Sequence, residues 1–187
     1  MGTRFEDRTD AGHRLAAALG QFREQPDTVV LGLARGDRNT AFGALAWALG
    51  RTVRLINKPL LERVLDHGVQ QEWLDDVERR ARDELLRRVE LYPGTGIDVA
   101  DRTVLLVDDG LATGATMRAA VEAMREGGAA AVVAAAPVGS IDAEASLERV
   151  CEAVVCLHLP GRFRAVGSYY RYFGQLSDDD AVRLLAH

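Results

Sequence analysis

Apolar and polar residues along this chain fall into two alternating periods, one near 3.6 residues and one made of short continuous apolar runs. Leu15, Leu19 and Phe22 sit at helical spacing and predict a helix over Arg8 to Phe22. Thr28 to Leu33 is a compact β-rich run and predicts a strand. Asn39 or Thr40 is placed to cap a helix reaching Leu49, closed by Gly50. A second strand is expected over Thr52 to Ile56, stopped by Pro59. Trp73, Val77, Ala81 and Leu85 then recur every four residues, with Leu74 and Val89 beside them, and predict a long helix from about Gln71 to Leu91. Its other face carries Asp75, Asp76, Glu78, Arg79, Arg80, Arg82, Asp83, Arg87 and Arg88, the composition of a solvated, ion-paired surface. Pro93-Gly94-Thr95-Gly96 reads as a turn.

The second half repeats the alternation more cleanly. Thr103 to Val107 predicts a strand, and Gly114 to Glu126 a helix ended by Gly127-Gly128. Ala130 to Ala136 is continuously apolar, as a strand covered on both faces requires. Asp142 is placed to cap a helix to Val150, and Ala153 to Leu157 predicts the last strand. The tail holds Phe163, Tyr169, Tyr170, Tyr172 and Phe173, followed by a short helix capped by Ser177. Strand and helix in alternation predict an α/β fold, a mainly parallel sheet flanked by helices.

The 187 residues suggest one domain, residues 1–187, able to bury its own core. A net charge of −5 argues against a nucleic-acid or anionic-membrane partner, so an anionic ligand would be held by local donors. The absence of a membrane-length apolar run and the charged opening, Met1 to Asp10, lead us to expect a cytoplasmic protein. Cys151 and Cys156 lack the tight pairing of zinc sites and read as core residues. Among the basic residues Lys58 is the sole lysine, which singles it out for chemistry.

The segment Val104-Leu105-Leu106-Val107-Asp108-Asp109-Gly110-Leu111-Ala112-Thr113-Gly114-Ala115-Thr116 concentrates that chemistry. A buried strand runs into two carboxylates at its carboxyl end, where open α/β sheets bind ligands. By alternation Asp108 and Asp109 point in different directions. Such acids accept hydrogen bonds from sugar hydroxyls, or hold a metal through water. Ala112 to Thr116 would present backbone N–H groups at a helix start, where the dipole favours an anion. Thr113 and Thr116 add hydroxyl donors, and Gly110 and Gly114 permit tight turning and close approach. The P-loop and the dinucleotide fingerprint are both absent.

This segment resembles the phosphoribosyl-pyrophosphate loop of the type I phosphoribosyltransferases, an apolar strand, two acids and Thr-Gly-x-Thr. It is similar to the adenine-type loop and to a family of predicted bacterial phosphoribosyltransferases. The tail from Phe163 to Asp178 is similar to that family too. The resemblance implies a Rossmann-like, doubly wound, five-stranded sheet. It implies 5-phosphoribosyl-1-pyrophosphate (PRPP), Mg²⁺ and a nitrogenous base as reactants, and a homodimer by analogy. Asp108 and Asp109 would bind ribose, and metal through water. Ala112, Thr113, Gly114, Ala115 and Thr116 would bind the 5′-phosphate. Arg35, Gly36, Asp37, Arg38 and Lys58 would bind pyrophosphate, with Arg35 and Lys58 balancing the leaving-group charge as the catalytic pair.

The chain departs from its apparent family at three points. Asp37 replaces a glycine, a following proline is missing, and the loop after Lys58 is shorter by roughly twenty residues against usual connection lengths. A reduced hood and flexible loop follow from the last. The resemblance also implies a strained cis bond near Ala34-Arg35-Gly36. Ala112 stands where hypoxanthine–guanine enzymes resemble one another in having an aspartate, which disfavours that substrate class. Two functions are consistent with these residues: a transferase acting on a nucleobase or similar nitrogen compound, or a non-catalytic sensor keeping the ribose-phosphate site.

Overall fold

The computed structural model describes residues 4–33, 43–48, 51–56, 76, 79, 80, 83 and 98–174. Its centre is a parallel sheet of four strands: β1 (Thr28–Gly32), β4 (Thr103–Val107), β5 (Ala131–Val138) and β6 (Ala153–His158), in the order β1-β4-β5-β6. β2 (Gly43–Ala48) and β3 (Arg51–Ile56) form a separate antiparallel pair. Helices α1 (Arg8–Ala18), α2 (Ala115–Glu126) and α3 (Ile141–Leu147) connect and cover these elements.

The register of the sheet explains its burial. Val104 pairs with Val132, and Leu106 with Ala134, so their side chains share one face. That face, with Ala136, packs against Met117, Val121 and Met124 of α2 and Leu147 of α3. Leu105, Val133 and Ala135 point the other way by alternation and are equally buried. Both faces of β4 and β5 are therefore dry, as their unbroken apolar sequences require. Pro137 lies past Ala135, the last β5 residue paired with β4, so its missing N–H interrupts no ladder with β4.

The elements follow the sequence pattern with three informative differences. The helix expected from Asn39 or Thr40 to Leu49 is instead β2, whose backbone pairs with β3 in register from Gly43–Ile56 to Ala48–Arg51. Cross-strand pairing over a two-residue connection outweighs the helix preference of Ala and Leu. For the same reason Thr52 to Ile56, expected in the parallel sheet, pairs antiparallel with β2, and the main sheet has four described strands instead of five. α3 begins earlier than expected, because Ser140, not Asp142, is its N-cap.

Of the predicted helix Gln71 to Leu91, the described residues Asp76, Arg79, Arg80 and Asp83 are helical. Asp76 takes ion pairs from Arg79 and, at 2.6 Å, Arg80, on an exposed face. The turn over Pro93 to Gly96 and the short helix after Ser177 lie outside the described residues. Among the described residues no helix is long and apolar enough to cross a membrane.

A second, smaller apolar cluster lies at the carboxyl end of the sheet. Phe5, Ala11, Val138 and Tyr170 are buried in it, with Phe163, Val166 and Phe173 packed around them. The chain just before α1 and the C-terminal tail are joined there by backbone bonds, Phe5 N to Tyr169 O and Arg171 N to Phe5 O, each 2.8 Å. This cluster brings two sequence-distant segments beside the end of β4.

Candidate functional site

The site is built at the carboxyl ends of β4 and β5. Asp108 follows β4 directly and its N–H still bonds Ala135 O at 3.1 Å, so the sheet extends to the first acid. The Asp108 carboxylate accepts the Asp109 N–H at 2.7 Å, which folds the acid back over its own backbone. Leu111 is buried and its N–H donates to Val138 O at 2.8 Å, anchoring the middle of the loop to β5.

Asp109 turns elsewhere. Arg8 at the start of α1 grips its Oδ2 through Nε at 3.0 Å and Nη2 at 2.9 Å. Among the described residues no partner meets Asp109 Oδ1. Tyr170 donates its hydroxyl to the Asp109 carbonyl at 2.6 Å. Burial first, and then the nearby Asp109 charge, push the Tyr170 hydroxyl far above its ordinary pKa, so it stays a protonated donor. The two carboxylates therefore take different partners, Asp108 the Asp109 N–H and Asp109 the Arg8 guanidinium.

Both loop glycines have identifiable reasons. A Cβ on Gly110 would lie 2.5 Å from Val166 Cγ1 and 2.7 Å from Cγ2, so the loop touches the C-terminal tail without room for a side chain. Gly114 has φ +71° and is the N-cap of α2, a left-handed position that L side chains rarely adopt. It turns the chain so that α2 starts beside the two acids.

The start of α2 suits an anion. Its first turn contains no acidic residue, which leaves the positive end of the dipole without an internal counter-charge. Thr113 is exposed and its Oγ1 accepts the Ala115 N–H at 3.3 Å. Ala112 is exposed, while Ala115 and Thr116 are half-buried.

Ser140, which the sequence did not single out, braces this loop. Its Oγ donates to Ala112 O at 2.8 Å and accepts the Ala143 N–H at 3.1 Å, and its own N–H bonds Leu111 O at 2.9 Å. Ser140→Ala should remove the cap of α3 and one tether of the loop together. We expect a loss of about 1 kcal/mol, within roughly 0.5–2 for such caps, read as a fall in Tm of about 2–4 °C. An unchanged Tm in a calorimetric scan would show that water replaces both bonds.

The structure thus brings together Asp108, Asp109 and Ala112 to Thr116. The other expected ligands, Arg35, Gly36, Asp37, Arg38 and Lys58, and the expected cis bond near Arg35, lie outside the described residues. Arg8, Ser140 and Val166 were not legible as site residues. Arg8 stands 101 positions from Asp109, and no local spacing encodes that pairing. Tyr170 and Phe173 are packed together with ring centroids 4.8 Å apart.

No group of three or more His, Cys, Asp or Glu side chains forms a metal cage among the described residues. Two neighbouring carboxylates still fit the way Mg²⁺ is commonly held, by one or two acids, waters and substrate phosphates. Cys151 and Cys156 are half-buried, and burial pushes both thiols up to about 11, which keeps them protonated and unreactive at neutral pH.

Residues 62–166 match the model of the phosphoribosyl transferase domain. The chain is 38% identical, over 97% of its length, to two proteins of Mycobacterium tuberculosis, "Putative phosphoribosyl transferase Rv0571c" of strain H37Rv and "Putative phosphoribosyl transferase MT0597" of strain CDC 1551. It spans 46% of each of these relatives, about half their length. The crystal structure of TT1426 from Thermus thermophilus is similar at 33% identity and TM-score 0.72, covering 98% of both chains.

Proposed function

Because this chain belongs to the phosphoribosyl transferase family, we propose that it transfers the phosphoribosyl group of PRPP to a nucleobase or similar nitrogen compound, as one catalytic domain. The observation that carries this reading is the continuity of the site. A strand ends in two acids with different orientations, and a left-handed glycine then starts a helix free of acids in its first turn.

Asp108 and Asp109 accept hydrogen bonds from the ribose hydroxyls. The backbone and hydroxyl groups of Ala112, Thr113, Gly114, Ala115 and Thr116 hold the 5′-phosphate at the positive end of α2. Thr113 Oγ1 exchanges its bond with Ala115 N–H for one to phosphate. Arg35, Gly36, Asp37, Arg38 and Lys58 surround the pyrophosphate, with Arg35 and Lys58 offsetting the charge that develops as it leaves. Asp108 and Asp109 would hold Mg²⁺ through water, and the ion would supply further neutralisation of the charge on the leaving group. The nitrogen of the base forms the new bond at the anomeric carbon as the bond to pyrophosphate breaks, through a transition state of oxocarbenium character. Catalysis in such a site is mostly positioning and electrostatics.

A second reading is a non-catalytic sensor that keeps the ribose-phosphate pocket. The short connection after Lys58 and the carboxylate of Asp37 favour it. Incubation with PRPP, Mg²⁺ and a panel of nitrogen bases separates the two. We expect release of pyrophosphate with at least one base. Tight donor binding with no turnover on any base would assign the sensor role instead.

A further inference from the structure

Resting on the ribose-phosphate reading above, we infer that Arg8 is a positioning residue for Asp109, and that it couples this acid to the C-terminal tail. Arg8 holds four relationships at once. Its Nε and Nη2 converge on Asp109 Oδ2, its Nη1 donates to Gly174 O at 2.6 Å, and its guanidinium lies 3.9 Å from the Phe173 ring centroid. Its side chain is 23% exposed and that of Asp109 31%, so the pair is partly shielded from water.

This arrangement is more specific than a surface ion pair. Guanidinium is a planar fork, and here two of its nitrogens fix one carboxylate oxygen while the third nitrogen fixes the tail. Oδ2 is thereby committed to Arg8, which leaves Oδ1 as the oxygen to accept a sugar hydroxyl. The same residue is immobilised from the tail side by Phe173, whose ring face favours a cation. Tyr170 completes the link by holding the Asp109 carbonyl from the same tail. Asp109 is thus oriented at its side chain by α1 and at its backbone by the tail.

Arg8 touches the acid and not the 5′-phosphate segment, Ala112 to Thr116. Its loss should therefore weaken ligands that contain ribose and spare those that contain only phosphate. A merely structural role would loosen the whole loop and weaken both.

The test is calorimetric titration of the whole chain with inorganic phosphate, ribose 5-phosphate and PRPP with Mg²⁺, for the parent, Arg8→Gln, Arg8→Lys and Phe173→Leu. We expect the parent to bind ribose 5-phosphate more tightly than phosphate. Arg8→Gln should weaken ribose 5-phosphate and PRPP about tenfold, an interaction of the size of one oriented charged hydrogen bond, with phosphate affinity unchanged. Arg8→Lys keeps the charge without the fork and should recover part of the loss. Phe173→Leu should give a smaller loss of the same ribose-specific kind. A parent that shows no preference for ribose 5-phosphate over phosphate overturns the functional reading. A parent with that preference, and Arg8→Gln either equal to it or weakened toward phosphate as well, overturns the role of Arg8 alone. If Arg8→Gln does not fold, the Lys and Leu variants decide the matter in the same way.

Discussion

Gly110→Ala is expected to lower Tm and weaken ribose-phosphate binding together, although it adds a single methyl group. The new carbon would lie 2.5 and 2.7 Å from the two methyls of Val166 and 3.1 Å from its Cβ. Separations this short do not persist, so either the loop after β4 or the tail around Val166 must move. Overpacking of a filled site costs about 1–3 kcal/mol, and in a protein of this size each kcal/mol moves Tm by roughly 2–4 °C. A fall of roughly 2–12 °C follows. The ligand effect arises because Gly110 lies between Asp109 and the phosphate segment, so moving it misaligns both. Val166→Ala removes the two nearest atoms. The double variant should therefore recover much of the loss, and a double-mutant cycle reads that coupling directly. An unchanged Tm for Gly110→Ala, or strict additivity with Val166→Ala, would show that the tail yields without resistance.

Asp109→Asn should produce the second large effect, with two separable parts. The first is on the ligand. An amide is a weaker acceptor than a carboxylate, so PRPP affinity measured by calorimetry should fall about tenfold to a hundredfold, or roughly 1.4–2.8 kcal/mol. The second is on the fold. Arg8 would keep its bond to the Gly174 carbonyl and its place over Phe173 but lose its partly shielded counter-charge. Charge-assisted bonds contribute about 1.5–3 kcal/mol, reduced here because both side chains retain some water contact. A modest fall in Tm should accompany the loss of affinity. Unchanged PRPP affinity would remove Asp109 from the ribose site whatever its effect on stability.

These two variants bracket a structural point about the loop from Asp108 to Thr116. It is held from three sides: by β5 through Val138, by Ser140 ahead of α3, and by the tail through Tyr170 and Val166. The acids are presented by rigid neighbours instead of by the loop's own stiffness. Preorganised polar groups of this kind act on developing charge without first having to reorient.

Much of this was legible along the chain. Continuous apolar runs such as Ala130 to Ala136 specify strands covered on both faces, because no other placement satisfies them. Gly110 and Gly114 marked the turn, and the succession of strand, paired acids and helix start marked the candidate site at the carboxyl end of β4. Those features are local, and local periodicity records them. Residues Gly43 to Ala48 were not legible as a strand, since alanine and leucine favour a helix until another strand offers hydrogen bonds. The partner of Asp109 was not legible either. Arg8 is one of 22 arginines, and its selection depends on the parallel bridge between Phe5 and Tyr170, which brings the two ends of the described chain together. The sequence by itself therefore determined the layered α/β fold, the family, and the paired acids and helix start of the candidate site, because each is written in contiguous residues. Only the tertiary structure decided what orients those acids. That depends on contacts between α1, the loop after β4 and the C-terminal tail, and chain order alone does not encode which distant groups meet.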